Sequence, residues 1–220
     1  MTTFVTRFVG AVYKAYWRYY PFSLERLISK EIGENALIGD LGCGDGMFAS
    51  RLKYFRDNGS DTMVGCDIHM PYILSARKKK VLHNLIQCDI RRLPFKDNCF
   101  DAVMAIFAIE HLEKKAEYLD AFENLAKGKI IITTSNGYSH NPENGVIYQR
   151  HLSGYEIDDF KNRDYLVRGF GCKIICGKWY KEGKIPVFIR PVLSMMSLLA
   201  TAITYYYPQF ADHIICIKQK

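Results

Sequence analysis

The sequence of 220 residues lacks the marks of several protein classes. It has no Cys-x-x-Cys pair, only seven prolines, and no internal repeat or low-complexity tract. Hydrophobic residues make up 49% of the chain and charged residues 24%, which excludes a disordered, collagen-like or coiled-coil protein. We therefore expect a single globular domain over residues 1–220.

Cysteine is present, but without the spacing of a metal site. The seven cysteines are scattered among apolar runs that resemble strands, and Cys172 and Cys176 lie four residues apart. Side chains at that spacing in a strand stand too far apart to chelate easily. A secretion signal is also not expected, because the longest uncharged apolar run near the N-terminus, residues 8–13, is about half the usual length. We expect free thiols in a reducing cytoplasm and no metal ion.

Acidic residues are absent from residues 1–24 and nearly absent from residues 168–207. The chain has a formal charge of +7, and these two segments hold nine Lys or Arg against one acid, Glu182. They also hold half of the Tyr, Phe and Trp residues, while the rest of the chain is nearly neutral. The composition raises nucleic acid or an anionic membrane as a partner of these two appendages.

Short apolar runs alternate with helix-like stretches through the middle of the chain. The apolar runs predict five strands, at 37–41, 63–66, 85–88, 102–107 and 130–133. Helices are predicted at 47–56, 71–80 and 114–126. This alternation predicts a parallel sheet with helices on both faces. Two later strands are predicted at 173–176 and 213–217, and Ser153 with Glu156 predicts a capping box that opens a short helix.

The most informative stretch is IGDLGCGDG, residues 38–46. A strand ends at Asp40, and Gly42, Gly44 and Gly46 follow at alternate positions. Glycine permits positive φ angles and a close approach of a ligand to the backbone. A dinucleotide-binding loop, G-x-G-x-x-G, would place glycine where Met47 stands. The pattern D-x-G-x-G-x-G instead resembles motif I of the class I S-adenosylmethionine-dependent methyltransferases.

The resemblance extends over residues 36–135 and is greatest to the type 11 methyltransferase domain. It rests on VGCD ending at Asp67, on QCDI with Asp89, and on LPFKDNCFDAV at 93–103. It implies a Rossmann-like, seven-stranded, mostly parallel sheet, with an N-terminal helical lid and a helical insertion before the last strand. The implied parts are a helical cap at 1–35, a cofactor-binding core at 36–135, and a substrate-side half at 136–220 whose apolar insertion covers 186–208.

The family resemblance also implies the cofactor, S-adenosylmethionine, and the residues that hold it. Asp67 would accept hydrogen bonds from both ribose hydroxyls, Asp89 would receive the adenine amino group, and Asp40 would help to hold the methionine end. The implied cofactor-binding residues are Asp40, Gly42, Cys43, Gly44, Gly46, Asp67, Ile68, Asp89, Ile90 and Ile106. His111, in IEHL after the fourth strand, is the catalytic candidate, with a substrate contact or a capping role as alternatives. His151 and Tyr16 are expected to contact the acceptor.

Two missing motifs narrow the acceptor. No [Asn/Asp]-Pro-Pro-aromatic motif of base- or glutamine-modifying enzymes follows the fourth strand, and no Pro-Cys pair suggests an RNA cytosine C5 nucleophile. We therefore expect methyl transfer to oxygen, nitrogen or carbon of a small-molecule or lipid-linked acceptor, with nucleic acid disfavoured. The alternatives are an RNA methyltransferase and a catalytically inactive S-adenosylmethionine-binding scaffold.

The first appendage predicts an amphipathic helix, with Phe4, Phe8, Val12, Tyr16 and Tyr20 recurring every four residues. Such a helix can act as a lid over the cofactor crevice. It can also lie on an anionic membrane, because it mixes aromatic with basic residues.

The second appendage has 21 uncharged positions, residues 191–211, which is long enough to raise the question of a membrane span. In the fold that the resemblance implies, the strands before and after this apolar segment are antiparallel neighbours in the sheet. A single membrane span between them would put them on opposite sides of the bilayer, so the segment must leave and return on the same side. Ser194, Ser197, Thr201 and Thr204 would form one hydroxyl stripe. A basic cluster that would suit anionic headgroups precedes it, at Lys178, Lys181, Lys184 and Arg190.

We expect the two appendages to pack together over the crevice. The surface that they form could bind an apolar acceptor or contact the inner face of the membrane. We expect the protein to be otherwise cytoplasmic. A helical cap on its own domain and a homodimer contact remain as alternatives.

Overall fold

The computed structural model describes residues 2–56, 61–139, 147–176, 185–186 and 188–220, without the side chains of residues 2–9 and 147. The predicted basic cluster falls partly outside the described residues, at Lys178, Lys181 and Lys184. The side chains of Phe4 and Phe8 lie outside them too.

Seven strands form one sheet in the order β3-β2-β1-β4-β5-β7-β6. The strands are β1 (Leu37–Leu41), β2 (Thr62–Asp67), β3 (Asn84–Gln87), β4 (Phe100–Ile106), β5 (Ala126–Ser135), β6 (Leu166–Phe170) and β7 (His213–Gln219). Strand β7 runs antiparallel to both of its neighbours, and the other pairs are parallel. The predicted fold, a mostly parallel seven-stranded sheet, is confirmed.

Helices cover both faces of this sheet. They are α1 (Thr2–Tyr19), α2 (Leu24–Glu31), α3 (Met47–Tyr54), α4 (Met70–Lys79), α5 (Ala116–Leu125), α6 (Ile157–Lys161), α7 (Arg190–Leu199) and α8 (Thr201–Thr204). Side chains alternate across β4, so that Val103 joins the core under α5 while Met104 joins the core under α2, α3 and α4. Burial on both faces explains why the central strands are continuous apolar runs.

Two local predictions are wrong. The sixth strand is Leu166–Phe170 rather than 173–176, because Gly171 ends it with a φ of +71° and the amides of Ile175 and Cys176 then bond to the Cys172 carbonyl in a turn. The capping box begins at Glu156 rather than Ser153: the amide of Glu156 donates to Asp159 Oδ2 at 2.7 Å.

The N-terminal helix packs on the outer side of α3. The Trp17 and Tyr54 rings have their centroids 5.5 Å apart, and the Arg51 guanidinium lies 5.1 Å from the centroid of the Tyr13 ring. These contacts advance in the same direction along both helices, so α1 runs roughly parallel to α3.

The two appendages pack together, as predicted. The Tyr20 hydroxyl donates to the Leu199 carbonyl, and the Phe22 ring lies 5.7 Å from the Tyr205 ring. However, the side chains of α1 that the structure describes cover α3 instead of an open crevice.

The hydroxyl stripe of the insertion faces the protein. Ser197 Oγ accepts the Cys172 amide at 2.8 Å, and Thr201 Oγ1 accepts the Gly171 amide at 3.0 Å. Thr204 Oγ1 donates to the Gly171 carbonyl at 2.7 Å. The insertion is thus anchored on the backbone that follows β6. Within the described residues, no helix has both the length and the apolar character needed to cross a membrane.

Candidate functional site: a cofactor cleft

A cleft of about 650 Å³ opens at the carboxyl ends of the parallel strands. This is the edge at which doubly wound sheets bind ligands. Most of the predicted site residues line it: Asp40, Gly42, Cys43, Gly44, Asp67, Ile68, Asp89, Ile90, Ile106 and His111. The fold therefore brings together residues that are up to 71 positions apart in the sequence.

The glycine loop forms the floor of the cleft. Gly42 has a φ of +74°, and a Cβ there would lie 2.7 Å from the Ala108 Cβ. Gly44 has a φ of +53°, and an added Cβ would meet no atom of the described chain within 4 Å, so the loop leaves its backbone open to a ligand. Gly46 does not line the cleft. It lies at the N-terminus of α3 with a φ of +74°, where an added Cβ would lie 3.1 Å from the Ala76 Cβ, and so glycine permits close packing of α3 on α4.

Two carboxylates that follow β2 and β3 are already held in place. Asp67 accepts the Gly44 amide at 2.9 Å and the His69 amide at 2.8 Å, one on each oxygen. Each of the two Asp67 oxygens keeps a second lone pair, so this carboxylate can also accept hydrogen bonds from the two hydroxyls of a ribose. Asp89 is bound by Arg91, whose Nε lies 2.9 Å and 2.8 Å from the two carboxylate oxygens and holds the pKa of that carboxyl below its usual value.

Asp40 is the electrostatically unusual residue of the cleft. Burial, with a further contribution from the charge of Asp67, raises the pKa of Asp40 to about 7. Its Oδ2 makes no hydrogen bond within the part of the chain that the structure describes. A buried carboxylate without a partner is costly, and a cationic ammonium group in the cleft would remove that cost. The residues thus fit the methionine end of S-adenosylmethionine.

Backbone strain marks the end of β4. Phe107 lines the cleft with a φ of +52°, a conformation that a bulky residue rarely adopts. Its amide is held by the carbonyl and the hydroxyl of Thr133, at 3.0 Å and 3.1 Å. Strain of this kind occurs preferentially at functional sites.

Two imidazoles, one of which lines the cleft, are in contact with each other. The rings of His111 and His151 have their centroids 5.0 Å apart. His111 Nδ1 lies 3.2 Å from the Arg150 carbonyl oxygen, and His151 Nδ1 lies 2.6 Å from the Ser139 carbonyl oxygen. Burial lowers the pKa of His111 below its usual value. His151 is half-buried between Arg150 and Leu152, which line the cleft, although its own side chain does not.

The segment Tyr148–Leu152 forms one wall of the cleft, and the sequence analysis named only His151 within it. Gln149 donates a hydrogen bond to the Tyr72 hydroxyl, and the His69 ring lies 6.1 Å from the Tyr148 ring. The amides of Leu152 and Ser153 donate to the Glu110 carbonyl. These contacts tie the segment to α4 on one side and to the turn after β4 on the other. No local motif signals them, because each joins distant parts of the chain.

The expected contact of Tyr16 with an acceptor is wrong. Tyr16 is 7% exposed and does not line the cleft. Its ring packs on Tyr20 at 5.2 Å, and its hydroxyl lies beside Thr201. The residue therefore joins the two appendages to each other and does not reach the cofactor site.

Comparison with known proteins agrees with this geometry. Residues 39–132 match the family model described as "Methyltransferase domain". "Probable tRNA methyltransferase 9B" of Homo sapiens is 33% identical over 102 residues, which cover 46% of this chain and 21% of that protein. An uncharacterized protein of Methanocaldococcus jannaschii is 33% identical over 137 residues, which cover 57% of this chain and 55% of that protein. The chain thus spans between 14% and 55% of the length of the curated relatives that it matches.

Among solved structures, an S-adenosylmethionine-dependent methyltransferase from Mesorhizobium loti superposes with a TM-score of 0.56 at 15% identity, covering 89% of this chain and 97% of that chain. At that identity, the likeness shows the fold. The family match covers the strands β1 to β4 and most of β5, which build the cleft. Residues 39–132 of the chain are thus similar in sequence to methyltransferase domains, and the sheet has the fold of the S-adenosylmethionine-dependent methyltransferases.

Proposed function

We propose that this chain transfers the methyl group of S-adenosylmethionine to an oxygen or nitrogen atom of a small or lipid-linked acceptor. The observation that carries the proposal is His111, which lines the cofactor cleft and has its ring centroid 5.0 Å from that of His151. The sulfonium group is an activated donor. The protein therefore has to align the acceptor and exclude water, and to remove a proton where the acceptor is a hydroxyl.

The hydrogen bonding of His111 supports the role of a base. A carbonyl oxygen only accepts, so the contact with Arg150 requires the proton on Nδ1 and leaves a lone pair on Nε2. The lowered pKa keeps the ring neutral near pH 7. His151 has the same arrangement with the Ser139 carbonyl, and because its side chain lies outside the cleft lining, we assign it to contact with the part of the acceptor that extends beyond the cleft.

The size of the cleft supports a small acceptor group. A cavity of about 650 Å³ is in the usual range for one small-molecule site. After the cofactor occupies the glycine loop and the space near Asp67 and Asp89, the remainder suits the reactive end of a molecule. A lipid-linked acceptor would present such an end.

RNA is the second candidate, because curated relatives are named as tRNA methyltransferases. The family match ends at residue 132, before the segment Tyr148–Leu152 that would meet the acceptor. Similarity in the cofactor half therefore supports methyl transfer more directly than it supports an RNA acceptor. Cytoplasmic location, homodimer formation and the division into a cap at 1–35, a core at 36–135 and a substrate-side half at 136–220 stay predictions.

A labelling experiment tests the proposal and its alternatives. The chain is incubated with methyl-labelled S-adenosylmethionine and separate fractions of tRNA, polar lipids and small metabolites. Label in the lipid or metabolite fraction supports the proposal, and label in tRNA would overturn it in favour of RNA. Cofactor binding without label in any fraction would favour an inactive scaffold.

Two variants separate chemistry from binding. We expect His111→Gln to lose turnover while it keeps the thermal shift with S-adenosylmethionine. Asp67→Ala should lose both, because the ribose loses its acceptor. Full turnover by His111→Gln would refute the base assignment.

A further inference from the structure

Helices α7 and α8 turn their polar side chains inward and their apolar side chains outward. Thr201 and Thr204 are 0% and 2% exposed, whereas Met196 and Ile203 are 51% and 66% exposed. A helix on the surface of a water-soluble protein normally shows the opposite arrangement. The exposed face of the insertion therefore needs an explanation other than folding of this domain.

The exposed residues form one continuous row, which we call the outer apolar stripe. They recur at intervals of three or four: Ile189, Val192, Met196, Leu199, Ile203 and Tyr206. The ten residues of α7 give about 15 Å of this row at 1.5 Å per residue, and α8 continues it after a break at Ala200. Phe188 extends it at one end and Phe210 at the other, 79% and 49% exposed. Apolar side chains arranged contiguously in this way mark an interaction surface.

Buried hydrogen bonds fix the orientation of the stripe. Ser197, Thr201 and Thr204 bond to the backbone of Gly171 and Cys172 on the inner side. Rotating the helices to bury the stripe would leave those backbone groups without hydrogen-bond partners, which is unfavourable for buried polar groups. The stripe is therefore a stable feature of the folded chain.

The charges around the stripe favour an anionic partner. Residues 185–211 contain no acid. Arg190 begins α7, the Arg168 guanidinium lies 5.1 Å from the centroid of the Tyr205 ring, and the Lys173 amide donates to the Phe210 carbonyl. Cations thus border both ends of the stripe. In a second copy docked face to face, residues 185–211 would bring no carboxylate to pair with Arg190 or Arg168.

We propose that the outer apolar stripe docks on an anionic lipid bilayer. A helix that lies in the interface needs an apolar face, flanking cations and aromatic residues at its edges, and this surface has all three. The long axis of α7 and α8 would lie parallel to the bilayer, with Met196 and Ile203 inserted among the acyl chains.

Docking would also place the cofactor cleft near the bilayer. Strand β6 is parallel to β5, so Gly171 and the insertion lie at the sheet edge where the cleft opens. The His213 ring is 5.0 Å from Phe107, which lines the cleft, and His213 pairs with Phe170 of β6. The inference goes beyond the proposed function and does not depend on which acceptor is methylated.

Vesicle co-sedimentation tests the inference on the full chain. We expect binding to vesicles of equimolar phosphatidylcholine and phosphatidylglycerol, and much weaker binding to phosphatidylcholine alone. The double variant Met196→Gln with Ile203→Gln should bind the anionic vesicles at least about tenfold more weakly, since two inserted side chains become polar. Met70→Gln with Leu74→Gln is the matched control, because both residues are exposed on α4 at the other end of the sheet.

A cooperative thermal unfolding transition without ligand checks that each variant is folded. Absence of wild-type binding to the anionic vesicles, equal loss in the control, or full binding by the stripe variant would each overturn the inference. A dimer in sedimentation velocity that the stripe variant abolishes, without vesicle binding, would assign the stripe to a second copy instead. If the chain binds vesicles but shows no thermal shift with S-adenosylmethionine, the result contradicts the proposed function and still supports the docking surface.

Discussion

Asp40→Asn should stabilise the cofactor-free chain and abolish cofactor binding. Asp40 has a pKa of about 7 in the folded chain against an ordinary value of 3.8. Each unit of difference corresponds to about 1.36 kcal/mol, so ionisation of this buried carboxyl costs up to about 4 kcal/mol of folding free energy. Because the folded-state pKa is raised, the wild-type free energy of unfolding should fall by up to that amount as the pH rises from about 4 through 7. The asparagine variant lacks this fall.

Urea unfolding between pH 4 and pH 8 measures the effect, and calorimetric titration measures cofactor affinity. The two proteins should have similar stability near pH 4, and the variant should be more stable at pH 8. Wild-type affinity for S-adenosylmethionine should weaken by up to about tenfold per pH unit below the pKa of Asp40, because binding then requires release of one proton. The variant should bind weakly at every pH.

Glu110→Gln is the matched control for Asp40→Asn. Glu110 is also buried, with its pKa raised to about 7 by burial, but it does not line the cleft. We expect this variant to gain stability above pH 7 and to keep its cofactor affinity. The reasoning is refuted if Asp40→Asn shows no stability gain that depends on pH, or if it binds S-adenosylmethionine as the wild type does.

Three further predictions concern the loop, the insertion and turnover. Gly42→Ala should destabilise the chain by about 1–3 kcal/mol in urea unfolding, because its Cβ would meet Ala108 at a positive φ; Gly33→Ala, with open space around it, should change stability little. Thr204→Val should lower stability by about 1 kcal/mol, since the Gly171 carbonyl loses its donor. The kcat/KM for methyl transfer should fall below about pH 7, because Asp40 becomes protonated there, and protonation of His111 should contribute only at lower pH. A kcat/KM that stays constant down to pH 5 would contradict both assignments.

The cofactor half could be predicted from the sequence because its signals are local. Strands β1 to β5 are apolar runs, and Asp40, Asp67 and Asp89 stand at or just after strand ends, where the topology brings them to one edge. Strand β6 was missed because it is short and carries Arg168, while the more apolar run after it forms a turn. The aliphatic part of Arg168 can be covered by Tyr205 and Tyr206, which the linear pattern does not show.

The contacts of the wall Tyr148–Leu152 could not be predicted, because they join residues that are distant in the sequence. Gln149 and Tyr72 are 77 residues apart, and His111 and Arg150 are 39 apart. Tyr16 illustrates the same limit. The periodicity correctly predicted that one face of α1 is apolar, but it did not predict which surface of the protein covers that face.

The outward apolar face of the insertion follows from where the sheet ends. Strand β6 is an edge strand, and the chain leaves it at Gly171, so the backbone groups of Gly171 and Cys172 have no neighbouring strand to bond them. Buried backbone groups need partners, and the hydroxyls of Ser197, Thr201 and Thr204 supply them from the inner side of α7 and α8. The stripe of hydroxyl side chains, which would be the solvent-exposed face of an isolated helix, is therefore the buried face here. The apolar residues on the opposite side are then exposed by the same hydrogen bonds that hold the insertion in place.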